Sequence, residues 1–182
     1  MDGVGRGTMV VQIGAQLDSG FDDPIGMLKD CHRRIEQFLR VLVVAAERAQ
    51  GRELTEEEGA AVQSALDYFR GGGLRHTADE EDSLFPRLRE QAEIVELGSL
   101  ESEHQAAGHL HEVIEGLYVA WMKMGRLERD EGQRLLRVTR QLAELYEAHI
   151  RVEEEIVFPR ARTVFDSDTV AAMGREFKAR RT

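Results

Sequence analysis

Apolar residues along most of the chain return every three or four positions, the step of a helix that buries one face. Ile25, Leu28, Ile35, Phe38, Leu39 and Leu42 keep that step. Asp22-Asp23-Pro24 supplies an acidic cap and a first-turn proline before them, and Gly51 marks the end. Thr55-Glu56-Glu57-Glu58 opens a second helix, with acid at the positive end of its dipole. Val62, Leu66, Phe69, Leu74, Leu84 and Leu88 give that helix its face, interrupted by Gly71-Gly72-Gly73. Each glycine costs a helix about 1 kcal/mol against alanine, so the run predicts either a break or space beside a close contact or buried site. A third helix opens at Gly98-Ser99 and carries Leu110, Val113, Leu117, Trp121 and Met124. After a charged, loop-like stretch from Gly125 to Gly132, a fourth runs from near Gln133 past Tyr146 and Ile150 to about Val157. Asp168, Val170, Met173 and Phe177 predict a short fifth helix ending in Lys178, Arg180 and Arg181. No stretch shows the two-residue alternation of a strand with its turns. The pattern predicts an all-α fold: an antiparallel up-down four-helix bundle over 22–162, a short C-terminal helix and tail over 163–182, and an arm over 1–21 whose apolar content is Met9-Val10-Val11.

Composition narrows the function. At 182 residues the chain has room for one domain. A formal net charge of −10 argues against nucleic acid as a partner, since nothing would neutralise phosphates. One cysteine, Cys31, excludes an internal disulfide and a multi-cysteine zinc site. No run approaches the ~18 apolar residues of a membrane span, and the glycine-rich start has no signal-peptide core. The expectation is a cytoplasmic protein without membrane or nucleic-acid partners, with a homodimer as the oligomer left open.

The chemistry lies in a repeat. The fourteen residues from His76 to Arg89 align without gaps on those from His149 to Arg162, and seven are identical, among them His76/His149, Glu80/Glu153 and Glu81/Glu154. Upstream, His32 precedes His76 by 44 residues and His104 precedes His149 by 45. In an antiparallel hairpin, residues equidistant from the turn lie at one height; the midpoints fall in the Gly51–Thr55 and Gly125–Gly132 loops. Each histidine then sits roughly 30 Å from its turn at 1.5 Å per residue, and all four meet in one layer. Within His-x-x-x-Glu the two side chains stack on one helix face. An imidazole with a carboxylate suits a borderline transition metal. The expected site is two metals, one on His32 and His76 and one on His104 and His149, bridged by Glu80 and Glu153; the allocation of histidines is its least constrained part. A lone histidine on an apolar face is usually a hydrogen-bonded core residue, but two pairs opening the same repeat, with matched partners, are not explained that way.

Glu81 and Glu154, about 100° round the helix from the bridging pair, are either acceptors for imidazole N–H groups or surface residues. Tyr146 either bonds a ligand or, as the more ordinary reading, packs in the core with its hydroxyl on a polar group. Phe85-Pro86 and Phe158-Pro159 are expected to close the core where proline stops or kinks the helix. His109 and His111 are expected at solvent or an interface, Cys31 as a small buried residue, Asp79 on a neighbouring face where alanine leaves metal content unchanged, and the basic tail as a solvated helix end.

These residues resemble the hemerythrin-like, or HHE cation-binding, family over roughly residues 22–162. His32, the signature from His76 through Pro86, His104, and His149 with Glu153 carry the resemblance. It implies a bundle around a non-haem di-iron centre, two oxo- or hydroxo-bridged Fe ions, that binds dioxygen or related ligands such as peroxide and nitric oxide. Oxygen-carrying members have a second histidine one turn from the third-helix histidine; here those positions are Leu100 and Gly108. Glu101, three residues before His104, is the substitute ligand the spacing offers. A ferritin-like site would need a second Glu-x-x-His on another helix, which the sequence lacks. With four imidazoles, each iron keeps an additional open position, which favours exchange over clean oxygen carriage. Three functions share such a site: a binding or sensing module, an enzyme acting on peroxide, nitric oxide or an organic substrate, and a metal-stapled structural or storage bundle.

Overall fold

The computed structural model describes residues 19–182, so the arm expected over 1–21 lies outside it except for its last residues. Five helical runs follow: α1, Pro24–Ala49; α2, 56–91; α3, Leu97–Met124; α4, 129–164; and α5, Ser167–Ala179. Helix α1 packs on α2 and α4, and α3 on α4 and α2. The architecture is the all-α bundle the pattern predicts, with no strand among the described residues. The helix starts follow local chemistry. Asp23 accepts from the Gly26 N–H, Thr55 and Glu58 form a reciprocal capping box, and Asp166 caps α5 through the Thr169 N–H.

Three boundaries differ from the sequence reading. The glycine run does not break α2; Phe69–Gly73 is one π turn inside a continuous helix. Helix α4 begins at Arg129, earlier than expected, because Glu128 and Glu131 cap it reciprocally. Neither proline ends its helix: Pro86 and Pro159 sit in the first turn of further α segments, Phe85–Gln91 and Phe158–Val164. Each segment is preceded by a π turn that begins at a repeat glutamate, Glu80–Leu84 and Glu153–Val157. The Phe85 N–H bonds to the Glu80 carbonyl and the Phe158 N–H to that of Glu153, five residues back. A proline next in line has no N–H to continue the ordinary ladder. The repeat thus specifies a bulge as well as ligands.

The core is split in two. Ile35, Leu39, Leu42, Leu66, Ile114, Leu135 and Leu142 belong to a cluster toward the α1–α2 and α3–α4 loops. Leu28, Leu84, Phe85, Leu97, Leu100, Val157 and Phe158 belong to a second cluster at the other end. Each fully buried Leu or Phe contributes about 1.5–3 kcal/mol. Helix α5 closes the second cluster with Met173 and Phe177. It approaches so closely that a Cβ on Gly174 would lie 1.9 Å from the Phe21 carbonyl oxygen. His32, His76, Glu80, His149 and Glu153 are buried between the two clusters along their helices. Among the described residues no helix is long and apolar enough to cross a membrane.

Candidate metal centre

One side chain from α1, two from α2, one from α3 and two from α4 meet in this layer. His32, His76, Glu80 and Glu153 form one group whose ligand atoms all lie within 4.8 Å of one another, and Glu80, His104, His149 and Glu153 form a second. Both glutamates belong to both groups. His32 Nε2 lies 3.1 Å from Glu153 Oε2 and 3.9 Å from Glu80 Oε1. His76 Nε2 and His104 Nε2 each lie 3.4 Å from a Glu80 oxygen, and His149 Nε2 lies 3.3 Å from Glu153 Oε1.

The far sides of the rings decide what these approaches mean. His32 Nδ1 is 2.9 Å from Glu154 Oε1, His104 Nδ1 is 2.8 Å from Glu81 Oε1, and His149 Nδ1 is 2.8 Å from Glu103 Oε2. An ionised carboxylate can only accept, so each Nδ1 donates. In the neutral ring Nε2 then carries a lone pair, and it points at carboxylate oxygens that also carry lone pairs. The Nε2 atoms of His32, His104 and His149 and both oxygens of Glu80 and Glu153 are buried without a hydrogen-bond partner. Each unsatisfied buried acceptor costs about 1–3 kcal/mol. Acceptors converging on acceptors hold together only around cations, either extra protons or metal ions, and the donor set fits the latter.

The electrostatics agree. Burial would lower the His32 pKa, yet Glu153, Glu154 and Glu80 hold it well above the usual imidazole value. Burial likewise opposes charge on His104, but Glu80 and Glu81 raise it to about 9. His149 is also raised, by Glu153 and Glu80 against burial. Glu80 is held well below the carboxylate range, because His76, His104 and His32 outweigh burial. His76 stands apart. Burial lowers it to about 4, and its Nδ1 is buried with no partner.

Several expected residues sit elsewhere. Glu101 is 2.7 Å from Arg89 Nη2, outside both groups, so it adds no oxygen near His104. Glu103, absent from the sequence reading, holds His149; the signal was an acid directly before His104, on the side facing α4. Glu81 and Glu154 take the acceptor role rather than a free surface. His111 is not a solvent residue. Its ring packs on Phe69, and its Nε2 lies 3.2 Å from the Tyr146 hydroxyl. Tyr146, buried with its ring edge-on to His149, fulfils the ordinary reading of a polar-tipped core residue. A cavity of about 300 Å3, lined by Phe69, Leu66, Leu74, Ile114, Gly108 and His111 among others, opens beside this pair. Asp79 is fully buried, and Arg180 Nη1 and Arg181 Nη2 donate to it at 2.9 and 2.6 Å. The basic tail therefore folds inward rather than standing in solvent.

Against known families, residues 23–161 match the model of the hemerythrin HHE cation binding domain. The chain belongs to this hemerythrin family. A relative described as an uncharacterized protein, from Haemophilus influenzae, is 28% identical over 163 residues, 88% of this chain and 91% of that protein. The hemerythrin match spans all six side chains of the two groups and stops before α5. A hemerythrin domain implies metal binding, and the unpartnered donor atoms in the layer are where an ion fits.

Proposed function

We propose that this is a non-haem di-iron protein whose centre binds dioxygen or a related species such as peroxide or nitric oxide, or senses iron or oxygen. His32 and His76 would hold one ion and His104 and His149 the other, with Glu80 and Glu153 shared between the two groups. The observation that carries this reading is the set of buried Nε2 and carboxylate oxygen atoms that face one another without hydrogen bonds. Bound iron would supply a Lewis-acidic, redox-active position for a small ligand. The chain's own residues do the rest. Glu154, Glu81 and Glu103 fix three imidazoles in the ligating tautomer. Phe158 stacks on His32 and Phe85 on His104, which keeps that face of the layer dry. Two imidazoles and two carboxylates per ion leave positions for exchange, which favours a binding role over a sealed staple. A cytoplasmic setting belongs to the same proposal.

Elemental analysis of protein made without affinity tag or added metal tests it. The expected result is close to two irons per chain, falling below one in Glu80→Ala and in Glu153→Ala. Zinc in place of iron, or fewer than one metal in the unaltered protein, overturns the di-iron reading. The enzyme alternative is favoured by the apolar cavity beside His111 and Tyr146, which has room for an organic molecule. Repeated turnover of peroxide would select it; stoichiometric uptake without turnover selects the binding module.

A further inference from the structure

Helix α5 does more than close the second core cluster. Its last turn and the two residues that follow reach the π turn of α2, the one that begins at Glu80. Arg180 donates from Nη1 to Asp79 Oδ1 at 2.9 Å and from Nη2 to Ser83 Oγ at 2.8 Å. Arg181 Nη2 donates to Asp79 Oδ2 at 2.6 Å. The Ser83 hydroxyl in turn donates to Glu176 Oε2 at 2.5 Å, and Arg87 donates to both oxygens of Glu176 at 3.0 and 2.6 Å. Arg87 Nη1 also reaches the Ser83 carbonyl at 2.8 Å, which ties the far end of the turn into the same network. Asp79 immediately precedes Glu80 and Ser83 lies inside the turn, and all three are fully buried.

The second copy of the repeat is a control within the same molecule. A shift of 73 residues sets Asp79 on Val152 and Ser83 on Ile156, side chains with no polar atom. The two turns have the same length, the same closing bond and the same buried glutamate. Ile156 is 42% exposed where Ser83 is 0%. At these two positions only the α2 copy offers the carboxylate and hydroxyl that α5 engages.

A π turn places one surplus residue in the helix, so whatever holds the turn after Glu80 also sets the direction of that carboxylate. Charge-assisted hydrogen bonds are roughly twice as strong as neutral ones. A buried carboxylate that loses its guanidinium partners is left uncompensated. We propose that the C-terminal helix is a clamp on the α2 π turn: Glu176, Arg180 and Arg181 are positioning residues that hold Glu80 in the layer, so that docking of α5 and retention of metal are coupled. This coupling rests on the di-iron reading, whereas the clamp rests on contacts within the protein. Because Glu80 belongs to both ligand groups, releasing the clamp loosens the grip on both ions. By linkage, metal in the layer holds α5 down by the same factor.

Hydrogen exchange of the full chain, read by mass spectrometry, tests this by comparing segment 80–85 with segment 153–158. Two variants are used. Arg180→Gln with Arg181→Gln removes the polar grip, and Gly174→Leu displaces α5 through its close contact with the Phe21 carbonyl. In both, segment 80–85 is expected to exchange about tenfold faster or more, with segment 153–158 within about twofold of the unaltered protein. A chelator is expected to withdraw both irons severalfold faster. A helix that merely adds stability would raise exchange at the two turns together. Equal acceleration at both turns, acceleration at neither, or an unchanged rate of iron loss overturns the proposal. Unaltered protein that carries no iron overturns the di-iron reading alone, and the exchange contrast, which needs no metal, then decides the clamp.

Discussion

The two halves of the layer share their ligand types and differ in what stands behind them. On the α3–α4 side both imidazoles are tethered, His104 by Glu81 and His149 by Glu103. On the α1–α2 side only His32 is tethered, by a Glu154 that Arg33 also grips at 2.9 Å. His76 has nothing on its Nδ1, and its proton affinity falls to a pKa of about 4 where that of His104 rises to about 9. A tethered imidazole is oriented and made more basic before the metal arrives; an untethered one must be ordered by the metal itself. A sequence repeat can therefore build two sites of unequal grip: its own Glu81 and Glu154 tether one imidazole in each half, and the difference comes from Glu103, which lies outside the repeat.

The largest test of that inequality is metal removal. A chelator is expected to withdraw the two irons in separate phases, the α1–α2 ion first, and a single phase would mean the halves are equivalent. Glu103→Gln should break the contrast from the strong side. It removes the His149 tether, should cost roughly 10–100-fold in metal affinity, and should merge the two phases. Cys31→Glu should sharpen the case from the weak side by giving His76 the carboxylate it lacks, slowing the fast phase severalfold.

Smaller effects concern stability. Asp79→Ala leaves Arg180 and Arg181 without their buried acceptor, for an expected loss on the order of 1–3 kcal/mol. At about 2–4 °C per kcal/mol for a chain of this size, the melting temperature reports it. The ion pair is offset by its setting, since burial raises the Asp79 pKa despite both arginines. The smallest is a pH effect. Burial lowers the His111 pKa to about 4 from 6.5, so the unfolded chain binds this proton more readily than the folded one. Its contribution is complete above pH 6.5 and is lost as pH falls toward 4. Denaturant midpoints for His111→Gln should lose that part of the acid sensitivity; an unchanged slope would show that the ring is not shielded.

How much of this the sequence discloses depends on where each partner lies along the chain. His76 with Glu80, and His149 with Glu153, are legible because four residues apart on a helix is a fixed geometry. The hairpin midpoints add His32 and His104 for the same reason. Glu103 is not legible in that way, since its role depends on the rotation of α3 against α4. The burial of Asp79 is not legible in that way either, because the residues that cover it, at the end of α5, lie far along the chain. Glu101 has the right spacing to His104 but a stronger partner in Arg89. The π turns escape a pattern search, since one extra residue per turn leaves Leu84 and Phe85, or Val157 and Phe158, adjacent and both buried.

Those bulges at Glu80 and Glu153 set the angular phase between the halves of each long helix. Above them the rotation is dictated by the histidines, and below them by the aromatic cluster under α5. The single surplus residue reconciles the two settings. Removing it, by deleting Ser83 for example, would turn everything downstream by about 100°, carrying Phe85 and Leu88 off their cluster while leaving His76 in place. Tolerance to insertion or deletion should thus be lowest not at the ligands but in the few residues after each bridging glutamate, where the pitch of the helix acts as a gear between metal layer and core.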